Sequence, residues 1–537
     1  MSRTTAIVTV LLACVALVHG PVVTHELLDW DDDLTIAHNQ DLGSAAGLAK
    51  AWRHPHMALY IPVTYTVWGL LAVAARVGVA DPQGVSLNPA VFHLASVVVH
   101  GLCVLLVWGV VRRFVGGDWP AAAGALLFAL HPVQVETVAW ASGLKDLLAV
   151  CLGLCAVLLY LLGGDAAGRR RFALLAVATA AFVAALLSKP SAVVVPVICW
   201  VLGGWQEGRL RPHAWPLLAG WMVLSLGCAV LTKLVQPGVD LAPVAWSHRP
   251  LVALDALAFY LWKLAWPMHL APDYGRSPQV ALGSSWIRWT WIVPLAATLS
   301  LAALPGRRRW LLAAAMFLVP LLPVLGLVPF HFQYYSTVAD HYLYLALLGP
   351  ALALGWAMVG RGRWAAWACA AWLAMLGAGS LLQARHWADT QSLWAHTLKV
   401  NPASFVASHK LAALAEDRGD RQTALSLYDA AIRRRPDHAL SHQSKGFLLI
   451  AMGRKDEALE SLQTARRIYA SWTGPHRGDL GIVSYTLGLL LIEKGRMDEA
   501  IEVLEEALSC LPADRHVQQA LREARDARPA ATQVISP

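Results

Sequence analysis

Residues Leu28 to Asn39 read LDWDDDLTIAHN, so Asp29, Asp31, Asp32 and Asp33 crowd around Trp30 directly after an apolar run. Unpaired carboxylates held together just outside a membrane helix repel one another, which is how a general base or a cation site is made. A solvated acidic turn capping the next segment would use the same residues, and the stretch by itself leaves both open. A second group runs His131-Pro132-Val133-Gln134-Val135-Glu136 and then Ser142-Gly143-Leu144-Lys145-Asp146. Pro132 must break the helix before it, which puts His131 and Glu136 at the membrane boundary, where polar side chains are functional by default. Lys189 interrupts the apolar stretch Phe172 to Trp205 and is followed by Pro190, as at the tip of a helical hairpin. A lysine there could bind a lipid phosphate as a point charge, or snorkel among headgroups. Two further clusters are Trp266-Pro267-Met268-His269-Leu270-Ala271-Pro272-Asp273-Tyr274 and Ala339-Asp340-His341-Tyr342-Leu343-Tyr344. Tyrosines at the start of a span form an aromatic belt, but Asp340 beside His341 asks for more than a belt.

The elements that carry these residues belong to a membrane protein with a soluble part appended. The 537 residues are 57% hydrophobic and only 15% charged, with mean hydropathy +0.50, far more apolar than a soluble chain and too long for one domain. Apolar runs of spanning length stop near Leu382. From Ala384 onward 20 Lys+Arg face 19 Asp+Glu, leaving 23 against 16 in the first 383 residues, so the net +8 lies mainly in the membrane half. That suits cytoplasmic anchoring loops and argues against a nucleic-acid-binding protein, whose basic residues would gather on one soluble face. Seven of the eight cysteines lie in apolar segments and Cys510 alone in the soluble part, with no disulfide or zinc framework. The apolar run Ala6 to Val23 is long for a cleaved signal and no small-residue cleavage site follows it, so it is expected to be an anchor.

Thirteen apolar stretches fall between Ala6 and Leu382. The basic clusters Arg112-Arg113, Arg169 to Arg171, Arg209 with Arg211, Arg307 to Arg309 and Arg361 with Arg363 should all be cytoplasmic. They can share one side if Met57 to Val79 and Leu251 to Leu270, both rich in polar and aromatic residues, are interfacial or re-entrant. Eleven spans remain. That parity puts five loops on the outer face together: His25 to Asn88, His131 to Lys145, the Ser188-Lys189-Pro190 tip, Gln236 to Ser285 and Pro329 to His341. The C-terminal soluble part joins them.

The soluble part reads as a helical repeat. With a 34-residue period, residues 405–438, 439–472 and 481–514 superpose: Gly419, Gly453 and Gly495 fall at the inter-helix turn, followed by Ala424, Ala458 and Ala500, then Ala431, Ala465 and Ala507. Tyr428, Leu462 and Leu504 are expected to fill the groove between repeats, with Thr473 to Leu480 an insertion. The fold expected is therefore all-α: a polytopic bundle over 1–383 with a catalytic first outer loop at 25–88, a linker or half-repeat at 384–404, a tetratricopeptide (TPR) solenoid at 405–514, and a capping helix with a disordered tail at 515–537.

Together these residues resemble the transmembrane and tetratricopeptide-repeat O-mannosyltransferases and their bacterial relatives, members of the GT-C glycosyltransferase class. The family's aromatic-Asp-Asp followed by Ile-x-x-Asn is similar to Trp30-Asp31-Asp32 with Ile36 to Asn39. Tyr60-x-Pro62, His93 with His100, His131-Pro132-x-x-x-Glu136, Ser188-Lys189-Pro190, Trp266-Pro267 to Asp273-Tyr274 and Ala339-Asp340-x-Tyr342-Leu343-Tyr344 also look like family blocks. Leu144 and His341 depart from the pattern, standing where arginines are expected. The resemblance implies a polyprenyl-phosphate sugar donor, Asp31 and Asp32 as the catalytic acids, and inversion at the anomeric carbon. It implies that Lys145, Lys189 and His341 bind the donor phosphate, with Asn39, His131, Glu136, Asp146, Asp273, Tyr274, Asp340 and Tyr342 positioning donor or acceptor. The second acid could instead help to hold Mg2+ or Mn2+, although nothing in the sequence names a ligand set. A protein or peptide acceptor would lie in the TPR groove, on the periplasmic side of a bacterial inner membrane. Two rival classes are a non-catalytic scaffold and a lipid flippase. No internal repeat relates the two halves of the membrane region, which weighs against the flippase.

Overall fold

Proline and glycine punctuate the apolar runs, and between them nearly every element is a helix. The computed structural model describes residues 2–79, 84–207, 214–236, 244–472 and 477–527, and among these there is no β-strand. Arg209, Arg211, part of the Gln236 to Ser285 loop, the start of the Thr473 insertion and the tail beyond 527 lie outside the described residues. The chain divides into two compact units, Met1–His396 and Thr397–Pro537.

The first unit contains α1 (Arg3–His19), α2 (Ala45–Arg53), α3 (Pro62–Ala75), α4 (Pro89–Phe114), α5 (Asp118–Leu130), α6 (Val135–Ala139), α7 (Leu144–Asp165), α8 (Gly168–Leu186) and α9 (Val195–Glu207). It continues through α10 (Ala214–Val235), α11 (Arg249–Ala265), α12 (Pro278–Gly283), α13 (Ile292–Ala303), α14 (Arg307–Leu321), α15 (Leu343–Ala346), α16 (Leu348–Met358), α17 (Arg363–Ala384) and α18 (Thr390–Val400), the last of which contains the division. Its centre is α4, α5, α7 and α16 with α1 and α14 packed around them. Glycines set the closest crossings. A Cβ on Gly124 would lie 2.2 Å from the Ala351 carbonyl oxygen, and one on Gly349 would lie 2.3 Å from that of Ala313. Without a hydrophobic drive between helices in lipid, such close backbone approach is what holds a bundle together.

Among the described residues, five segments are long and apolar enough to cross a membrane: Arg3–Thr24, Pro89–Phe114, Ala141–Asp165, Trp215–Val235 and Arg363–Trp387. Two bent pairs bring the number to seven: Asp118–Leu130 with Pro132–Ala139, turned by 53°, and Asp340–Ala346 with Leu348–Met358, turned by 48°. Among the described residues, fewer single helices reach spanning length than the eleven spans expected from run length. Apolar runs are longer than the helices they form, because prolines and charges interrupt them. Helix α3 starts at Pro62 and has 14 residues, α13 has 12, and α14 opens on three arginines and holds Pro320 inside. Arg112 pairs with Asp118 at 2.6 Å and Arg113 with Asp165, so part of the basic charge is neutralised beside the helix ends.

The second unit is a stack of helical hairpins: α19 (Phe405–Asp417) with α20 (Arg421–Arg434), α21 (Ala439–Ala451) with α22 (Lys455–Ser471), and α23 (Arg477–Glu493) with α24 (Met497–Cys510), closed by α25 (Arg515–Asp526). Each hairpin turns at a glycine with positive φ, +79° at Gly419, +76° at Gly453 and +73° at Gly495, which a side chain would strain. The alanines at the repeated offsets are fully buried, as are Leu462 and Leu504, and Tyr428 nearly so. A further repeated position escaped the sequence pattern. Ala412, Gly446 and Gly488 occupy the same place on the first helix of each hairpin, and a Cβ on either glycine would lie 2.6 Å from Leu462 or Leu504.

Candidate active site

The loop after α1 turns sharply at Asp31, which has φ +70°, a left-handed conformation costly for a residue with a Cβ. The turn is held by the Thr35 backbone N–H and hydroxyl, each donating to the Asp31 carbonyl at 2.8 Å. Because the chain reverses there, the adjacent acids point into different surroundings. The Asp31 side chain is 41% exposed and its Oδ2 lies 3.5 Å from Lys145 Nζ. Asp32 is fully buried, and its two oxygens accept from the backbone N–H groups of Leu28 at 3.0 Å and Ser142 at 2.8 Å. Burial pushes the Asp32 carboxyl up to about 7, opposed by the hydrogen bonds from Ser142 and Leu28 and aided by the neighbouring Asp31 charge.

The wall facing this loop is the segment from Trp140 into α7. Trp140 Nε1 donates to the Trp30 carbonyl at 2.7 Å, Ser142 Oγ lies 2.8 Å from Thr35 Oγ1, and the Lys145 ammonium lies 4.4 Å above the Trp140 ring. Trp30 itself is gripped edge-on by Phe332, Tyr335 and Trp394. One turn into α7, Asp146 receives Lys189 Nζ on both oxygens, at 2.5 and 2.6 Å. Burial lowers the Lys189 ammonium, while Asp146 and Glu136 raise it and Lys145 lowers it further, so these four groups share one electrostatic neighbourhood. The tip that carries Lys189 is tied to α3, where Val63 N–H and the Thr64 hydroxyl donate to the Leu187 and Ser188 carbonyls.

Glu136 closes the back of the group. Its Oε2 accepts from the Asp340 and His341 backbone N–H groups at 3.0 and 3.2 Å, and its Oε1 lies 2.7 Å from His341 Nδ1. Tyr274 donates to both oxygens of Asp340, at 2.8 and 2.9 Å. The tertiary fold thus gathers Asp31, Asp32, Lys145, Asp146, Lys189, Glu136, His341, Asp340 and Tyr274 from five distant stretches, with Tyr342 packed on the His341 ring. Three other expected residues hydrogen-bond to nearby backbone. The two ring nitrogens of His131 meet the Leu264 carbonyl and the Val133 N–H, tying the end of α5 to α11. Asn39 spans Thr35 O and Asp41 N–H, closing the first loop. Asp273 is buried and accepts from Gly275 N–H in a turn. Of the two positions where arginine was expected, Leu144 is wholly buried and His341 is bound to Glu136.

Sequence reasoning missed the supporting polar groups. Thr35 and Ser142 lie inside motifs already noted, and their small hydroxyls beside acids were the available signal. Arg276 pairs with buried Asp255 at 2.6 Å through both oxygens, and Lys263 donates to the Met268 and His269 carbonyls at 2.7 and 2.9 Å, beneath Tyr274. Among the described residues no group of three or more His, Cys, Asp or Glu could hold a metal ion. Asp31 and Asp32 do not fit a shared divalent cation either: both Asp32 oxygens face N–H donors, and Asp31 faces a lysine.

Comparison with known proteins supports a TPR protein with a glycosyltransferase relative. Residues 437–513 match the tetratricopeptide-repeat family. Over 218 residues the chain is 29% identical to Protein O-mannosyl-transferase Tmtc2 of Drosophila melanogaster, a match covering 37% of this chain and 23% of that protein's length. Among solved structures, MamA is 21% identical at a TM-score of 0.23, covering 26% of this chain and 70% of its own. YrrB, a TPR protein with an unusual peptide-binding site, is 17% identical at the same TM-score, covering 26% of this chain and 72% of its own.

Proposed function

We propose that this protein is a membrane glycosyltransferase of the inverting GT-C type, moving a mannose-like sugar from a polyprenyl-phosphate donor to a hydroxyl on a protein at the extracytoplasmic face. The observation that carries this reading is the division of labour between adjacent acids: one exposed carboxylate beside a lysine, one buried carboxyl bracing the loop. In this mechanism Asp31 takes the proton from the acceptor hydroxyl as its oxygen attacks the anomeric carbon. The bond from that carbon to the phosphate oxygen breaks, and polyprenyl phosphate departs as an anion toward Lys145 and Lys189. Fixed positive charge in a site poor in water stabilises that departure, and phosphate needs no general acid. Asp32 is a positioning residue that holds the Leu28 and Ser142 backbones, and Glu136 orients His341. The TPR unit presents the acceptor, and a bacterial inner membrane would place that unit in the periplasm.

One observation favours a non-catalytic TPR scaffold as the second reading. Lys145 and Lys189 each already face a carboxylate, and neither expected arginine is present. The deciding assay is transfer of radiolabelled sugar from a polyprenyl-phosphate donor in membranes carrying wild type, Asp31→Asn or Asp32→Asn. Loss of a general base should reduce transfer by roughly 10²- to 10⁴-fold in Asp31→Asn. Transfer unchanged in both variants removes the acids from the chemistry.

A further inference from the structure

A cavity of about 200 Å3 opens between α2 and α3, within the first outer loop and beside the loop that carries Asp31. Its walls are largely apolar, with Leu42, Leu48 and Leu70 among them, and Asn39, His56 and Tyr65 supply polar groups beside the Lys50–Asp41 ion pair. Hydrogen bonds connect this wall to the loop of the proposed base. The Asn39 amide donates to the Thr35 carbonyl, the Thr35 hydroxyl donates to the Asp31 carbonyl, and the Tyr65 hydroxyl feels the Asp31 charge. His56 packs edge-on against Tyr65 at 5.2 Å and its ring is hydrogen-bonded to the Leu34 backbone, while its buried Nε2 has no hydrogen-bond partner among the described residues. A buried, unpartnered ring nitrogen on a cavity wall is a group awaiting a polar ligand. The hairpin bearing His56 is also strained, since Met57 and Ala58 both have positive φ, at 46° and 60°.

We propose that this cavity is the acceptor subsite, taking an aliphatic side chain next to the Ser or Thr whose hydroxyl reaches Asp31, while the backbone of that peptide meets His56. The inference rests on the glycosyl-transfer reading and adds to it the class of acceptor. Asp31 meets Lys145 at 3.5 Å, and its charge also reaches Tyr65 on the cavity wall. With the lysine assigned to the departing phosphate, the nucleophile enters from the cavity. The size restricts what enters. Pockets for drug-sized ligands run to roughly 300–1,000 Å3, so this one holds a side chain or two and the acceptor must be an extended segment.

Gly69 supplies a test that leaves the fold alone. It lines the cavity from α3, and a Cβ there would meet only the Gly43 nitrogen at 3.7 Å, so a longer side chain grows into the cavity instead of into its neighbours. Replacing a helical glycine also removes a cost in backbone entropy. Full-length wild type and Gly69→Leu, in membranes with a radiolabelled polyprenyl-phosphate mannose donor, would be offered two octapeptides with a single Thr, flanked by Leu in one and by Gly in the other. Wild type should favour the Leu peptide in kcat/KM by about tenfold or more. Gly69→Leu should lose that preference through a higher KM for the Leu peptide, while release of lipid phosphate without peptide stays at the wild-type rate. A preference retained in Gly69→Leu, or absent from wild type, overturns the subsite. Wild type that releases no lipid phosphate with or without peptide overturns the glycosyl-transfer reading itself.

Discussion

The buried pair Lys189–Asp146 can be separated into its structural and chemical parts by a double-mutant cycle. The ammonium contacts both carboxylate oxygens, at 2.5 and 2.6 Å, and the side chains are only 14% and 8% exposed. Removing one member of such a pair strands a buried charge, which costs about 3–5 kcal/mol. Lys189→Met strands Asp146 and Asp146→Leu leaves Lys189 with Glu136 as its remaining anionic neighbour, so both single variants should fall at about 3 kcal/mol, the lower end of that range. Lys189→Met with Asp146→Leu removes both charges and fills the space with apolar atoms. It should recover to within about 1 kcal/mol of wild type, since a well-packed apolar replacement of a buried ion pair is close to neutral. Stability would be read from denaturant unfolding in detergent micelles and activity from sugar transfer in membranes. If Lys189 serves the donor phosphate, the double variant is stable and inactive. Recovery of transfer together with stability would refute the assignment and leave the pair a structural one.

Other expectations follow from the same geometry. A carboxyl held at about 7 in the folded chain, against roughly 3.9 in the unfolded one, binds its proton more tightly when folded, so its contribution to stability is complete below about pH 4 and is lost as pH rises toward 7. Wild type should therefore lose stability relative to Asp32→Asn between pH 4 and 7, and a flat difference across that window would contradict the burial argument. In the TPR unit, Gly446→Leu drives atoms into Leu462, which stands 2.6 Å from the Cβ position, and should cost about 1–3 kcal/mol by pulse proteolysis of the full chain. Adding Leu462→Ala should return part of that loss. Reporters fused after Arg171 and after Pro537 should report opposite sides of the membrane, and the same side for both would overturn the extracytoplasmic placement of the TPR unit.

What the sequence by itself determined is the part governed by local and periodic rules. The TPR unit is legible because each hairpin repeats the same turn glycine and the same buried alanines, and each contacts mainly its neighbours. Pro132 marks a helix break for the same reason, since a missing N–H acts within one turn. Tertiary structure alone decided which of two adjacent aspartates is exposed. Asp32 is buried because Ser142, 110 residues away, brings it an N–H donor, and Asp31 stays exposed because the chain reverses at its own positive φ. Likewise Lys189 and Asp146 meet across 43 residues, Glu136 and His341 across 205, and no run of apolar letters reveals where the Asp340–Ala346 and Leu348–Met358 pair bends. Periodicity records which face of a helix is apolar. Partner choice among buried charges depends on distances between helices, and only the packed bundle sets those.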